Sequence, residues 1–195
     1  MLILGSILYI SSLCTQCGTS IDPSITRAII QVESGGNPYA IGDNTTRKSY
    51  YPESQSEAVQ LAADLISQGH NLDMGLMQIN SWHLGRNGVS LESVFEPCDN
   101  IKTGTGILSG FLKKYDGQPQ AFFKALSAYN TGSAWKGPAF INRILKASNA
   151  PYRVAVVNPP KERKAKRPRV ATVEYSPGRA GTVEGSSIFF SGGNL

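Results

Sequence analysis

The sequence predicts a mainly α-helical domain with a small irregular or hairpin insertion and a basic tail. Three observations carry this. Apolar residues recur at offsets of three, four and seven in five separate stretches. The segments between them hold turn formers and little of the alternation that marks strands. From residue 153 the composition shifts to Pro, Gly, Ser and basic residues. A chain of 195 residues suffices for one domain with a sizeable core, and an apolar fraction of 41% fits a globular protein.

Residues 1–13 (MLILGSILYISSL) form a continuous apolar run, too short to cross a bilayer as a helix and long enough for the core of a signal peptide. It lacks a basic leader, and the competing reading is a buried first helix. The expected organisation is a leader over residues 1–16, a helical body over 17–152 and a tail over 153–195. The protein would then be exported, with no membrane span in its mature form. Loss of Cys14 with the leader would leave Cys17 and Cys98, an even pair in a compartment where disulfides persist. Such a bridge would tie the start of the domain to a later helix; two buried free thiols are the alternative.

The first helix of the body is capped by Asp22 and opened by Pro23, with Ile25, Ala28, Ile29 and Val32 on one apolar stripe. Glu33 follows in the last turn, and Gly35-Gly36 ends the helix. Unpaired carbonyls and the negative end of the helix dipole disfavour a charged carboxylate there, so its pKa is expected to rise. An acid held protonated near neutrality is what a departing glycosidic oxygen needs. A solvated surface Glu is the plainer reading of this stretch taken alone.

Residues 37–44 read as a loop or at most a small hairpin outside the core. Ser54 and Glu57 make a capping-box pattern for a helix through Ala58, Leu61, Ala62, Leu65 and Ile66, which stops at Gly69. Residues 71–80 are too mixed to assign. A third helix runs from Asn100 to Tyr115; its Gly104 and Gly106 cost propensity and imply close packing against a neighbour. Pro119 is expected to open a fourth, halted by Asn130-Thr131-Gly132, and Pro138 a fifth through Phe140, Ile141, Ile144 and Leu145.

The formal charge of +5 is unevenly spread: residues 1–152 hold 11 Lys/Arg against 11 Asp/Glu, and residues 153–195 hold 8 against 3. The body is neutral, so any attraction to anionic polymers or phosphates belongs to the tail, where six basic residues fall within 161–169. With no apolar face to offset the cost of ordering, the tail is expected to be disordered.

Three blocks in order, Glu33-Ser34-Gly35-Gly36-Asn37-Pro38-Tyr39-Ala40, Gly75-Leu76-Met77-Gln78-Ile79-Asn80 and Ala128-Tyr129-Asn130-Thr131-Gly132, resemble the soluble lytic transglycosylases. The likeness is strongest to the branch associated with VirB-type conjugation and type IV secretion systems, and it covers roughly residues 21–152. The resemblance implies a goose-lysozyme-like helical fold whose cleft receives peptidoglycan glycan strands. It implies that Glu33 is the sole catalytic acid and base, cleaving after N-acetylmuramic acid with an anhydro-muramyl product. It also implies substrate binding by Ser34, Gly75, Met77, Gln78, Tyr129, Asn130 and Tyr152, and partners in a secretion or conjugation apparatus. A second carboxylate is not required when the substrate supplies its own nucleophile. The chain departs from the wider family at Gly42, nine residues after Glu33, where a Ser is common, and at Asp73-Met74, where small residues are usual.

Two rival readings remain open at this level: a hydrolytic muramidase that activates water with another acid such as Asp73, and a non-catalytic wall-binding assembly protein. No cofactor and no metal are expected, since His70 and His83 stand in no ligand spacing with cysteines or acids, and Gly104-x-Gly106 lacks the context of a dinucleotide loop. Trp82 and Trp135 are candidates for sugar stacking and for core packing alike.

Overall fold

The computed structural model describes residues 2–18, 21–149, 152–156 and 171–175, with side chains for residues 8–18 and 21–149. It divides into two compact units, residues 1–110 with 146–148, and residues 111–145 with 149–195.

The first unit opens with α1 (Leu2–Cys17), which packs on α2 (Pro23–Glu33). The apolar run read as a leader core is therefore helical here from Leu2 onward, with Cys14 and Cys17 buried. Cys17 is bonded to Cys98, 81 residues away. Cys14 is a free thiol, and burial pushes its pKa up to about 11. In α2, the Asp22 carboxylate accepts from the Ser24 N–H at 2.7 Å, and Ile25, Ala28 and Ile29 are buried together with Thr26 and Ile30.

A four-stranded antiparallel sheet follows, in the order β2-β1-β3-β4, built from β1 (Ile41–Asp43), β2 (Lys48–Tyr50), β3 (Leu72–Met74) and β4 (Ile79–Asn80). This corrects one expectation and assigns a segment left open. Residues 37–44 are not outside the core, because Ala40, Ile41 and Asp43 are buried, and residues 71–80, unassigned from sequence, supply two strands and the turn between them. Strands of three residues or fewer are too short to show period-two alternation, and α3 (Gln55–Ser67) separates the two halves of the sheet in sequence. Ile41, Leu72, Met74 and Ile79 supply its buried face, while cross-strand pairing lines up Ser49, Gly42, Asp73 and Asn80 on the other.

Asp43 is the buried acid of this sheet. Burial would raise its pKa, but the Thr46 hydroxyl at 2.6 Å, His70 Nδ1 at 2.8 Å and the N–H groups of Thr46 and Thr45 outweigh it and hold the carboxyl down at about 2. These contacts close the β1–β2 turn.

Helix α3 is capped by Ser54, whose hydroxyl accepts from the Glu57 N–H at 3.2 Å; Glu57 in turn accepts from the Glu53 N–H, one residue further back than a capping box requires. A single-turn helix, α4 (Leu91–Val94), absent from the sequence reading, precedes α5 (Pro97–Lys114). Gly104 is the tight point of α5: a Cβ there would lie 2.5 Å from Met77 Sδ and 2.9 Å from Met77 Cβ, whereas Gly106 has open space.

In the second unit, α6 (Ala121–Thr131) starts two residues after the expected Pro119, with Gln120 in a left-handed conformation and no side-chain cap; α7 (Pro138–Ala147) starts at the expected proline. Phe123, Ala125, Leu126, Phe140, Ile141, Ile144 and Leu145 are buried. Within the stretch expected to lack structure, β5 (Tyr152–Val156) and β6 (Ala171–Tyr175) pair antiparallel, and the remainder of 153–195 lies outside the described residues. Alternate β-branched residues at Val154, Val156 and Val173 suit an extended chain. No helix among the described residues is long and apolar enough to cross a membrane.

Candidate active site

Glu33 is the last residue of α2, half-buried, and the next residue, Ser34, caps the helix with its N–H on Ile30 O at 3.0 Å. The helix end therefore fixes the carboxylate where the sequence placed it. It opens on a cleft of about 290 Å³ lined by Glu33, Ser34, Gly35, Ala40, Ile41, Gly42, Ser49, Tyr51 and Gln78. Among those residues Glu33 is the single acid. The volume is close to the lower end of the roughly 300–1,000 Å³ of small-ligand pockets, enough for a sugar unit rather than a strand.

The Gly75–Gln78 turn between β3 and β4 is bracketed from two sides. From α2, the Ser34 hydroxyl donates to Leu76 O at 2.8 Å and accepts from the Gly36 N–H. From α5, the buried Asn100 carboxamide donates to Met74 O at 3.0 Å and Val94 O at 2.6 Å and accepts from the Met77 N–H at 2.8 Å. Gly75 has φ +75°, and a Cβ there would lie 2.3 Å from Asn100 Nδ2, so the close approach that calls for glycine is made by Asn100.

Gln78 uses its Nε2 to donate to Ala40 O at 3.1 Å and Gly75 O at 3.0 Å. With both hydrogens so directed, its Oε1 is left as a fixed acceptor, lying 3.0 Å from where a Gly42 Cβ would stand. The absence of a side chain at Gly42 is thus matched by the position of the Gln78 carboxamide.

Of the residues assigned to the site from sequence, Glu33, Ser34 and Gln78 meet at the cleft. Met77, for which the resemblance implies substrate binding, is not among the cleft-lining residues; its side chain is fully buried against Gly104. Gly75 is buried as well. Tyr129 and Asn130 lie on α6 in the second unit, where the Tyr129 ring stacks on Phe140 at 6.5 Å and Asn130 is exposed. The turn after them is held by Ser127, whose hydroxyl donates to Ser133 O and accepts from the Gly137 N–H, and by Thr131. Tyr152 starts β5, opposite Tyr175, and its side chain is outside the described residues.

Sequence reasoning missed Ser49 and Tyr51, which reach the cleft because β2 pairs with β1, and Asn100, which looked like an ordinary helix residue. An Asn four residues into an apolar helix face was the one signal for the last of these. Asp73, the candidate second acid, is not among the cleft-lining residues; its carboxylate accepts from Asn44 Nδ2 at 2.7 Å and Asn80 Nδ2 at 2.8 Å.

A mainly helical body with one carboxylate at the end of a helix, opening on a polar cleft, is the build of a lysozyme-like enzyme. The chain belongs to the family described as Transglycosylase SLT domain, which matches residues 13–146. It is 33% identical over 159 residues to the type IV secretion system protein virB1 of Brucella abortus, covering 75% of this chain and 67% of that protein. Protein virB1 of Agrobacterium fabrum is 34% identical over 125 residues, or 63% of this chain and 51% of the relative. The invasion protein IagB of Salmonella typhimurium is 30% identical over 138 residues, 69% of each chain. No solved structure matches. The chain is a lytic transglycosylase, with an activity of that type on peptidoglycan.

Proposed function

We propose that this enzyme cleaves the glycan strand between N-acetylmuramic acid and N-acetylglucosamine with Glu33 as its only acid and base, leaving an anhydro-muramyl end. The observation that carries the reading is the placement of Glu33, at a helix terminus, as the single carboxylate among the described residues that line the cleft. Protonated Glu33 gives its proton to the leaving glycosidic oxygen as the bond to the anomeric carbon breaks. The resulting carboxylate takes the proton from the muramyl primary hydroxyl as that oxygen bonds to the same carbon and closes the second ring, which returns Glu33 to its starting state. Gln78 Oε1 and the Ser49 hydroxyl are the cleft groups that hold the sugar, and Ser34 acts as a positioning residue, joining the Glu33 helix end to the Gly75–Gln78 turn. Tyr129, Asn130 and Tyr152 are assigned to the substrate on the family resemblance.

The same reading places residues 17–152 in the periplasm as the catalytic domain, opening the wall locally for a conjugation or type IV secretion apparatus. The names of the Brucella and Agrobacterium relatives support that role. The basic tail is assigned to contact with anionic wall polymers or apparatus components. The test is digestion of purified sacculi followed by mass analysis of the fragments. Anhydro-muramyl products are expected from the wild type and none from Glu33→Gln, while reducing ends would point to the hydrolytic reading and binding without products to a non-catalytic one.

A further inference from the structure

The sheet face that borders the cleft continues well beyond it. Antiparallel register sets Ser49, Gly42, Asp73 and Asn80 side by side across all four strands. Ser49 and Gly42 line the cleft, and the row runs on over β3 to β4. Its far half is a fixed polar lattice. Asp73 accepts from Asn44 and Asn80, and Asn71 and Asn80 exchange amide hydrogen bonds at 3.1 and 2.9 Å, so that every carboxamide is oriented.

Each edge strand is followed, two residues after its member of the row, by an exposed aromatic: Tyr51 after Ser49, 67% exposed, and Trp82 after Asn80, 61% exposed. These are the two most exposed aromatics among the described residues. A single exposed aromatic needs no explanation, but Trp82 is held in place. Its backbone N–H donates to Asn80 Oδ1 at 3.0 Å, the Arg86 guanidinium lies 4.0 Å from the ring centroid, and the His83 ring stands perpendicular to the indole with centroids 5.1 Å apart. Even with Arg86 over one face, Trp82 keeps most of its surface in solvent.

We propose that this face is a glycan-binding floor, which carries an oligosaccharide away from the Glu33 cleft across the sheet and ends in a sugar ring stacked on Trp82. At ~4.8 Å per strand, the three steps from β2 to β4 span roughly 14 Å, the length of a short oligosaccharide. Asn44 and Asn80 each spend both amide hydrogens within this lattice, so it presents chiefly fixed carbonyl and carboxylate acceptors to sugar hydroxyl and acetamido N–H groups, and the indole offers the apolar surface that a pyranose ring packs against. The proposal rests on the reading that the cleft takes peptidoglycan glycan.

The experiment uses the full chain carrying Glu33→Gln, so that bound sugar is not turned over, and measures by calorimetry the binding of N-acetylglucosamine as a disaccharide and as a hexasaccharide. Trp82→Ala is expected to weaken the hexasaccharide roughly three- to tenfold and to leave the disaccharide unchanged, and Trp82→Phe to restore most of the loss. Unchanged hexasaccharide affinity in Trp82→Ala, or equal weakening at both lengths, would overturn the floor while leaving the cleft reading intact. Failure of the Glu33→Gln parent to bind either sugar would overturn both.

Discussion

Replacing Asn100 with Ala should be among the most damaging single changes outside the cleft. The side chain is 1% exposed and makes three hydrogen bonds, to Met74 O, Val94 O and the Met77 N–H. At about 1 kcal/mol net for each bond the loss is about 3 kcal/mol, and leaving buried carbonyl and amide groups dry carries it toward ~5 kcal/mol. For a domain of this size, ~2–4 °C per kcal/mol gives a fall in Tm on the order of 10 °C. Urea denaturation followed by circular dichroism measures it directly, as a lower midpoint at an unchanged slope. Asn100→Asp keeps the shape but turns a carboxylate oxygen toward two carbonyls, so it should be no milder. Because the Gly75–Gln78 turn hangs from this residue, the folded fraction of Asn100→Ala should also turn over sacculi more slowly at saturating substrate. A stability within ~1 kcal/mol of wild type would refute the idea that Asn100 organises the turn.

Gly104→Ala tests the packing of α5. Helix propensity alone would gain ~1 kcal/mol, but the new methyl would lie 2.5 Å from Met77 Sδ with Met77 fully buried, and a net loss of about 1–3 kcal/mol is expected; a raised melting temperature would show that the helix and the turn slide apart at no cost. Asp43 sets an acid limb. Its folded pKa, about 2, lies below the ordinary 3.8, so its contribution is fully present above pH 3.8 and is lost as pH falls through about 2. Acid titrations of unfolding midpoint should fall across that window in the wild type and show a shallower fall in Asp43→Asn; parallel curves would remove Asp43 from the account.

The long elements were legible and the short ones were not. Asp22, Pro23 and the apolar stripe define α2 because eleven residues hold three turns of a 3.6-residue period, which periodicity can detect. β4 has two residues, and no alternation can be read from two. Its existence depends on Met74 and Ile79 being brought together by a turn whose geometry comes from Asn100, a residue distant in sequence. Met77 illustrates the same gap at the site. A methionine beside a cleft glutamine suits either a sugar surface or the core, and only the groove at Gly104 decides for the core. Glu33 stood out because a helix end is a local property; Ser49 and Tyr51 did not, since strand pairing alone carries them to the cleft.

The bridge between Cys17 and Cys98 has a topological consequence. Together with the backbone between them it forms a closed covalent ring that contains α2, the whole sheet, α3 and α4, and hence Glu33, Gln78 and Trp82. Among the described residues of that ring the longest exposed run, residues 44–49, begins in the β1–β2 turn, where Asn44, Thr45, Thr46 and Arg47 all face solvent and are open to a protease. A single cut there produces two polypeptides and still one molecule. The helix that bears Glu33 stays tethered to α5, and only a reductant arriving after the protease separates the acid from the rest of its cleft.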